Sequence, residues 1–367
     1  MRYSSQAEMM EVSGIRKCFG TMGPDSVNLG IGQPDFETPD HVKEAAMAAI
    51  REGFTGYTGN MGMPELCYAI SEKLRRENRL DISSEEVMVT SGASEALFLA
   101  IWSLIDPGDE VLIADPGFLS YAALTQAVRG RPVGVPLDRE LKLTPDAVAE
   151  RLTSRTKAIV VNSPSNPTGA VQTEEEMRGL AEIAEDRDIA LISDEVYEHF
   201  IYKGKHVSPG RFSDNVITIN AVSKTYSMTG WRLGYVAAQA PALEHMLKAH
   251  QYVQACASSI SQKAAYAAFT GPQDCVKIMR DEFQRRRDIL VRGFQEMGID
   301  FVVPEGAFYL FPRVGDGDRV AGRLMERGVV VVPGSAFGPG GREHIRISYS
   351  ASEASIRTAL SRMRDIL

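Results

Sequence analysis

Short apolar runs rich in β-branched residues recur along the chain from about Ser84 onward, and longer segments of helical period separate them. This alternation is typical of parallel strands that are connected by crossover helices. One connecting segment holds Thr173 and Glu176 at the spacing of a capping box, which predicts a helix start. The pattern therefore predicts an α/β domain with a mostly parallel sheet flanked by helices. The predicted strands are Val87–Thr90, Val111–Ile113, Ala158–Val161, Ala190–Ile192, Val216–Ile219 and Leu233–Val236.

The pattern changes after about Ala257, where a long charged helical stretch runs through Arg285–Arg287. Short apolar runs follow it, which predicts a smaller α+β domain that the N-terminal segment also joins. We place the large domain at residues 26–257 and the small domain at residues 1–25 and 258–367. The strands of the small domain are predicted at Phe301–Val303, Tyr309–Phe311, Val329–Val332 and Ile345–Ser348.

The composition indicates a globular protein that acts on small molecules. The 367 residues are 44% hydrophobic and 24% charged, and their net charge of -8 favours neither a nucleic acid nor an anionic membrane as a partner. No run reaches the roughly 20 apolar residues of a membrane helix, and the N-terminus lacks a signal pattern. Neither the cysteines nor the six histidines show a metal-ligand spacing, so we expect no metal and free thiols in a reducing cytoplasm. The cysteines are Cys18, Cys67, Cys256 and Cys275.

Lys224 is the leading candidate for chemistry. It lies in a segment of small and polar residues directly after the predicted strand Val216–Ile219, and Trp231 follows it. A lysine at the end of a buried strand loses hydration, which lowers the pKa of its amine toward the range where it can act as a nucleophile or a base. Such a lysine taken alone is more often structural, so the interpretation depends on its neighbours.

Three other segments end strands at the sheet edge that Lys224 occupies. Asp194 follows the strand Ala190–Ile192, at the carboxyl end where open α/β sheets bind ligands, and it either caps the next helix or faces a cationic ligand. Asn166 lies in a tight turn of Ser, Pro and Asn residues after another strand. The run Ser91–Leu97 passes from a strand through small residues into a helix, whose free N–H groups and positive dipole end suit a phosphate.

Three long motifs carry a resemblance to a known family. They are Ser223–Tyr235 (SKTYSMTGWRLGY), Asn162–Gly169 (NSPSNPTG) and Asn28–Pro39 (NLGIGQPDFETP). In their order and approximate spacing the chain resembles the fold-type I, class I/II pyridoxal-phosphate aminotransferases, and it is similar to bacterial and archaeal aspartate, aromatic and alanine aminotransferases along nearly its whole length. The resemblance implies pyridoxal 5'-phosphate as cofactor, L-amino acids and 2-oxo acids as substrates, and a cytoplasmic homodimer.

The resemblance also implies catalytic roles. Lys224 holds the cofactor covalently and then moves a proton between the substrate α-carbon and C4' of the cofactor. Asp194 pairs with the pyridine nitrogen and keeps it protonated, which makes the ring an electron sink. Asn166 and Tyr197 donate hydrogen bonds to the ring oxygen.

The remaining implied contacts concern the phosphate, the ring face and the substrate. Phe118 stacks on the ring. Arg346 clamps the substrate α-carboxylate as a bidentate partner, and Gly32 and Asn166 approach the same group. Tyr57 reaches the cofactor phosphate of the neighbouring subunit, which implies shared active sites in a homodimer. The phosphate is held by Ala93, Ser94, Ser223 and Arg232.

The implied reaction is a ping-pong transamination of aspartate, alanine or aromatic type with 2-oxoglutarate as acceptor. The closest alternative is a pyridoxal-phosphate-dependent α,β-eliminating lyase on the same scaffold, which would release ammonia and need no acceptor. A non-catalytic pyridoxal-phosphate-binding regulatory module is more remote, because no basic helix-turn-helix precedes Asn28. A nicotinamide enzyme is disfavoured, because no GxGxxG motif follows the first strand.

Overall fold

A computed structural model describes residues 1–10, 12–14, 23 and 25–367 of the chain. In chain order, the strands are β1 (Val27–Asn28), β2 (Val87–Thr90), β3 (Glu110–Asp115), β4 (Arg131–Pro136), β5 (Thr156–Asn162), β6 (Ala190–Asp194), β7 (Val216–Ala221), β8 (Gly234–Ala237), β9 (Tyr309–Leu310), β10 (Val329–Val330), β11 (Val332–Pro333) and β12 (Ile345–Ser348). The α-helices that we label are α1 (Ser5–Met9), α2 (Asp40–Arg51), α3 (Pro64–Lys73), α4 (Ala93–Leu104), α5 (Leu119–Ala127), α6 (Pro145–Ala149), α7 (Glu174–Asp186), α8 (Val222–Thr225), α9 (Ala240–Val253), α10 (Ser259–Thr270), α11 (Asp274–Glu296), α12 (Gly317–Glu326) and α13 (Glu353–Met363).

The large sheet has seven strands in the order β2-β8-β7-β6-β5-β3-β4. The five neighbouring strands β7, β6, β5, β3 and β4 are parallel to one another, whereas β8 is antiparallel to both β7 and β2. Both faces of the sheet are covered, because adjacent residues of one strand pack into different apolar clusters: Met88 lies in one cluster and Val89 in another. This sheet confirms the predicted α/β class, and Thr173 caps α7 in the predicted box with Glu176.

The register of the sheet brings distant segments to one edge. Asp194 pairs with Asn162 at the carboxyl ends of β6 and β5. Because β8 runs the opposite way, its first residue, Gly234, lies between Ala221, which ends β7, and Thr90, which ends β2. The loops that follow β2, β5, β6 and β7 and the loop that precedes β8 therefore open on the same side of the sheet.

One strand of this sheet, β4, escapes the apolar pattern. Its sequence is Arg-Pro-Val-Gly-Val-Pro, with Pro132, Gly134 and Pro136 breaking the run of β-branched residues. Proline cannot donate to a strand ladder and is tolerated at an edge, which is where β4 lies, beside β3 alone. The prediction of six strands was therefore one strand short.

The small α+β domain contains β11-β12-β9 as an antiparallel sheet and pairs β1 with β10 in parallel. Its core includes Phe283 and Phe294 of α11, the long charged helix that the sequence predicts. The predicted strand at Phe301–Val303 is wrong: Asp300 forms one isolated bridge, and Phe301 packs edge-on against Phe294 with ring centroids 6.2 Å apart. Pro304 ends the segment, and a residue without an N–H cannot extend a ladder.

Two further predictions concern the chain as a whole. Strand β1, at residues that the prediction assigns to the large domain, pairs with β10 of the small domain, and the domain boundaries stay a prediction. Cys67, Cys256 and Cys275 are free thiols, and Cys18 lies outside the described residues. Within the described part of the chain, no helix is both long and apolar enough to cross a lipid bilayer.

Candidate active site

A cavity of about 240 Å³ opens at the sheet edge where these loops meet. Eleven of the twelve residues that the sequence singled out line it, and the exception is Tyr57, whose residue surface is 91% exposed outside the cavity. Within a single chain, the Tyr57 side chain therefore faces outward, away from this cavity. The eleven residues are Gly32, Ala93, Ser94, Phe118, Asn166, Asp194, Tyr197, Ser223, Lys224, Arg232 and Arg346.

Lys224 is carried by α8, the single helical turn that follows β7. Its Nζ donates a hydrogen bond to the carbonyl oxygen of Gly32 at 2.7 Å. Burial, followed by the nearby positive charges of Arg346 and Arg232, lowers the pKa of the Lys224 amine to about 8. A substantial fraction of this amine is therefore neutral near physiological pH, which is the form that attacks a carbonyl or accepts a proton.

Asp194 ends β6 and is buried at the base of the cavity. Burial raises the pKa of its carboxyl group to about 6, although the hydroxyl of Tyr121 donates to its Oδ2 at 2.7 Å and the Val196 N–H donates to its Oδ1 at 3.3 Å. Both hydrogen bonds favour the ionised form. Asp194 is therefore a carboxylate at pH 7 that would gain from a cationic partner in the cavity.

Arg346 lies in β12 of the small domain and is 1% exposed. Its guanidinium donates from Nη1 to Asn166 Oδ1 at 2.9 Å and from Nη2 to the Gly30 carbonyl at 2.5 Å. The rings of Tyr309 and Phe337 lie 4.6 Å and 4.9 Å from its central carbon. Because the Asn166 carbonyl oxygen is used by Arg346, the amide nitrogen of Asn166 is the group that can donate to a ligand oxygen.

An anion cradle forms where β2 passes into α4. Gly92 has a φ of +81°, and a Cβ at this position would lie 2.7 Å from Nη2 of Arg232, so a glycine is required there. Arg232 itself precedes β8 and donates from Nη1 to the Thr229 carbonyl at 3.1 Å. The first N–H groups of α4, at Ala93 and Ser94, therefore combine with a guanidinium to suit a phosphate.

These groups fit a phosphorylated pyridine aldehyde. The amine of Lys224 can capture an aldehyde, the carboxylate of Asp194 suits a protonated ring nitrogen, and the cradle at Arg232 suits the phosphate. The α/β fold and this set of groups together define the class of pyridoxal-phosphate enzymes built on a mostly parallel sheet.

Comparisons with known proteins agree with this class and narrow it. Residues 24–363 match the model of the family "Aminotransferase class I and II". The chain is 46% identical over 374 residues to a probable aspartate aminotransferase of Methanocaldococcus jannaschii, with 99% of each chain covered. Its fold matches the aspartate aminotransferase of Thermus thermophilus with maleate at a TM-score of 0.95 and 38% identity, over 100% of both chains. It matches an aromatic aminotransferase of Pyrococcus horikoshii at a TM-score of 0.91 and 40% identity, over 96% of this chain and 98% of the other.

The chain therefore belongs to the aminotransferases of class I and II. It is a pyridoxal-phosphate-dependent enzyme that catalyses transamination, which confirms the resemblance seen in its motifs. The α,β-eliminating lyase has no support among these relatives, and the full-length match to enzymes leaves the regulatory module without support as well.

Sequence reasoning missed four polar residues of the cavity, Tyr121, Asn162, Thr229 and Tyr309. Tyr121 lies three residues after Phe118 and packs edge-on against its ring at 5.5 Å, so helical spacing from Phe118 was an available signal. Asn162 is bonded to the site's backbone, since its Nδ2 donates to the Asp194 carbonyl at 2.9 Å. The only sequence signal at Tyr309 was an apolar strand pattern, and this pattern does not indicate that the hydroxyl enters a site.

Proposed function

We propose that this aminotransferase transfers the amino group of an aspartate-, alanine- or aromatic-type L-amino acid to 2-oxoglutarate, with Lys224, Asp194 and Arg346 as its central residues. The observation that supports this proposal most is the convergence of three charges in one cavity. These are an amine whose pKa is lowered to about 8, a buried carboxylate and a buried guanidinium.

Each side chain then has a task that its environment suits. When bound, pyridoxal phosphate supplies an aldehyde and an electron-accepting ring. With the cofactor bound, Lys224 would take the proton from the substrate α-carbon and return it at C4' of the cofactor, because its amine is partly neutral at pH 7. Asp194 holds a proton on the ring nitrogen, and the Asn166 amide and the Tyr197 hydroxyl donate to the ring oxygen.

Substrate and cofactor are oriented by the remaining residues. Arg346 binds the α-carboxylate, with its plane fixed between the rings of Tyr309 and Phe337. Arg232, Ser223 and the first turn of α4 hold the phosphate. Phe118 lines the cavity and covers the ring face.

A donor screen tests the proposed substrates. With 2-oxoglutarate as acceptor, we expect at least one of L-aspartate, L-alanine and L-phenylalanine to exceed L-lysine in kcat/KM by at least about 100-fold. Without acceptor, the same donor should convert the bound cofactor once per site, after which the reaction should stop. The absorbance of the cofactor measures this conversion. D-aspartate serves as the matched control. Inactivity of all three donor types, or continuous ammonia release without acceptor, would contradict the proposal.

The homodimer with shared active sites rests on outward-facing aromatic residues. Tyr57 and Tyr252 are 91% and 93% exposed, more than any other large hydrophobic residue among the described residues except Met1. The loop of Tyr57 and the end of α9, which carries Tyr252, are joined, because Asn60 Nδ2 donates to the Ala255 carbonyl at 2.6 Å. An exposed aromatic surface of this kind suits a second copy of the chain, and Tyr57 would then point into the partner's cofactor site.

Subunit mixing tests this arrangement. Lys224→Ala and Tyr57→Ala each disable every site of their own homodimer. In a mixed dimer, one site regains both residues if Tyr57 acts across the interface. Random reassociation of equal amounts should restore roughly a quarter of the wild-type activity. Mixing Lys224→Ala with Asp194→Ala is the control, because both residues line one cavity of the same subunit: no site of a mixed dimer regains both, and no recovery is expected. No recovery with Tyr57→Ala would place that residue in its own subunit's site.

The domain boundaries and the location of the protein complete the proposal. We keep residues 26–257 as the large domain and 1–25 with 258–367 as the small one, although the pairing of β1 (Val27–Asn28) with β10 favours a transition a few residues later. A cytoplasmic location is supported by the free thiols of Cys67, Cys256 and Cys275.

A further inference from the structure

Tyr309 connects the small domain to the large one inside the cavity. It lies in β9, next to the strand of Arg346, and its residue is 1% exposed. Its hydroxyl oxygen lies 2.8 Å from the hydroxyl oxygen of Tyr197, which follows β6 of the large sheet. The two rings meet edge to face with centroids 5.6 Å apart. A hydrogen bond between two buried phenols therefore spans the two domains at the site.

Each of the two hydroxyls has one proton to donate, and this sets the direction of the Tyr309–Tyr197 hydrogen bond. Burial raises the pKa of Tyr197 and of Tyr309 above the usual value, so each hydroxyl carries one proton near neutral pH. If Tyr197 donates its proton to the ring oxygen of the cofactor, it can only accept from Tyr309. Two hydroxyls donating in series polarise each other, so the outer bond strengthens the inner one.

The ring of Tyr309 has a second contact. The guanidinium carbon of Arg346 lies 4.6 Å from its centroid, in the range of a cation–π contact. The Tyr309 hydroxyl also packs closely against the loop that contains Gly32, because a Cβ on Gly32 would lie 2.1 Å from the hydroxyl oxygen. Gly32 in turn accepts the hydrogen bond from Lys224. The Tyr309 side chain thus contacts Tyr197, the proposed donor to the ring oxygen, and Arg346, the proposed partner of the α-carboxylate. It also contacts Gly32, which accepts from the reactive amine.

We propose that Tyr309 is a positioning residue with two separable functions: its hydroxyl orients the proton of Tyr197 toward the cofactor ring oxygen, and its ring fixes the plane of Arg346. This inference rests on the proposed roles of Tyr197 and Arg346. It adds a residue that sequence reasoning did not assign and that couples recognition of the substrate carboxylate to the electronic state of the cofactor.

Tyr309→Phe removes the hydroxyl and keeps the ring. A hydrogen bond to the ring oxygen favours its deprotonated form, so losing support for that bond should raise the pH midpoint of the bound cofactor's absorbance, by about half a unit. The KM for the amino acid should change less than about twofold, because the stack on Arg346 remains. Tyr309→Leu removes the ring as well and should raise the KM about tenfold in addition. The spectral midpoint is measured on the holoenzyme without substrate.

Two further variants separate the possible outcomes. Tyr197→Phe should raise the midpoint more than Tyr309→Phe, because it deletes the donor itself. Tyr349→Phe deletes another buried hydroxyl, whose oxygen is 3.5 Å from the Ala307 carbonyl outside the cavity, and should leave the midpoint unchanged. If Tyr197→Phe shifts the midpoint and Tyr309→Phe does not, the inference on Tyr309 is overturned and the proposed site stands. If neither variant shifts it, the role of Tyr197 fails as well.

Gly32→Ala gives an independent test of the geometry. The added methyl group would collide with the Tyr309 hydroxyl, so this variant should bind pyridoxal phosphate more weakly and show a raised midpoint. In the Gly32→Ala/Tyr309→Phe double variant the nearest remaining ring atom is 3.1 Å from the new Cβ, so part of the lost cofactor affinity should return. A double variant no better than Gly32→Ala would overturn the proposed contact.

Discussion

Replacing Lys224 with alanine is expected to lower turnover by at least about 10⁴-fold, because the variant loses both the nucleophile that captures the cofactor and the base that moves the substrate proton. The absorbance of the covalently held cofactor should disappear, while pyridoxal phosphate still binds at the cradle of Arg232 and Ser94. Steady-state transamination and absorbance spectra of the purified variant measure the two effects.

Two control variants show that the effect belongs to this amine. Lys224→Arg keeps a positive charge, but a guanidinium does not deprotonate in proteins, so it should be as inactive as the alanine variant. Lys248→Ala removes an exposed lysine from α9 and should leave the rate unchanged. In the wild-type apo-protein, the rate of cofactor capture should rise with pH with a midpoint near 8, where half of the amine is neutral, and level off at higher pH. Turnover near the wild-type level in Lys224→Ala would refute the assignment.

The parts of the fold that the sequence predicted are those where burial alone dictates residue type. Strands β5 to β7 are covered on both faces along most of their length, so most positions favour apolar residues and the run is visible without other information. Strand β4 lies at an edge, where Pro132 and Pro136 are tolerated, and its pattern is broken. The segment at Phe301–Val303 has the opposite problem, because it is apolar although Phe301 packs on α11 without a strand partner.

The same distinction holds for the site. Residues at the ends of buried strands, such as Asp194 and Lys224, could be placed at one edge because parallel strands share the direction of their carboxyl ends. Tyr309 could not, since it enters the cavity from a strand of the small domain whose orientation depends on tertiary packing. Tyr121 had only its helical spacing from Phe118 as a signal. The antiparallel insertion of β8 was also outside the reach of periodicity, yet it is what brings Arg232 to Gly92.

Asp194→Asn should have the second largest effect, because it keeps the shape of the side chain and removes the charge that holds a proton on the cofactor ring. We expect the rate of substrate α-proton removal to fall by about 10²–10³-fold, as for the loss of one preorganised electrostatic contact, and pyridoxal phosphate to dissociate more readily. Stopped-flow absorbance of the half-reaction measures the first effect, and dialysis followed by activity recovery measures the second. Asp115→Asn, at the carboxyl end of β3 outside the cavity, is the matched control.

The pH dependence of apo-protein stability tests the ionisation of Asp194 independently of the reaction rate. Burial raises the pKa of Asp194 from 3.8 to about 6, so the folded state binds more protons than the unfolded state between these values. The contribution of this group to stability is therefore full below pH 3.8 and is lost as the pH rises to about 6. Between pH 4 and 6 the melting temperature of the wild-type apo-protein should fall relative to that of Asp194→Asn. A constant difference between the two proteins over this range, together with an unchanged half-reaction rate, would show that the buried carboxylate is not the partner of the ring nitrogen.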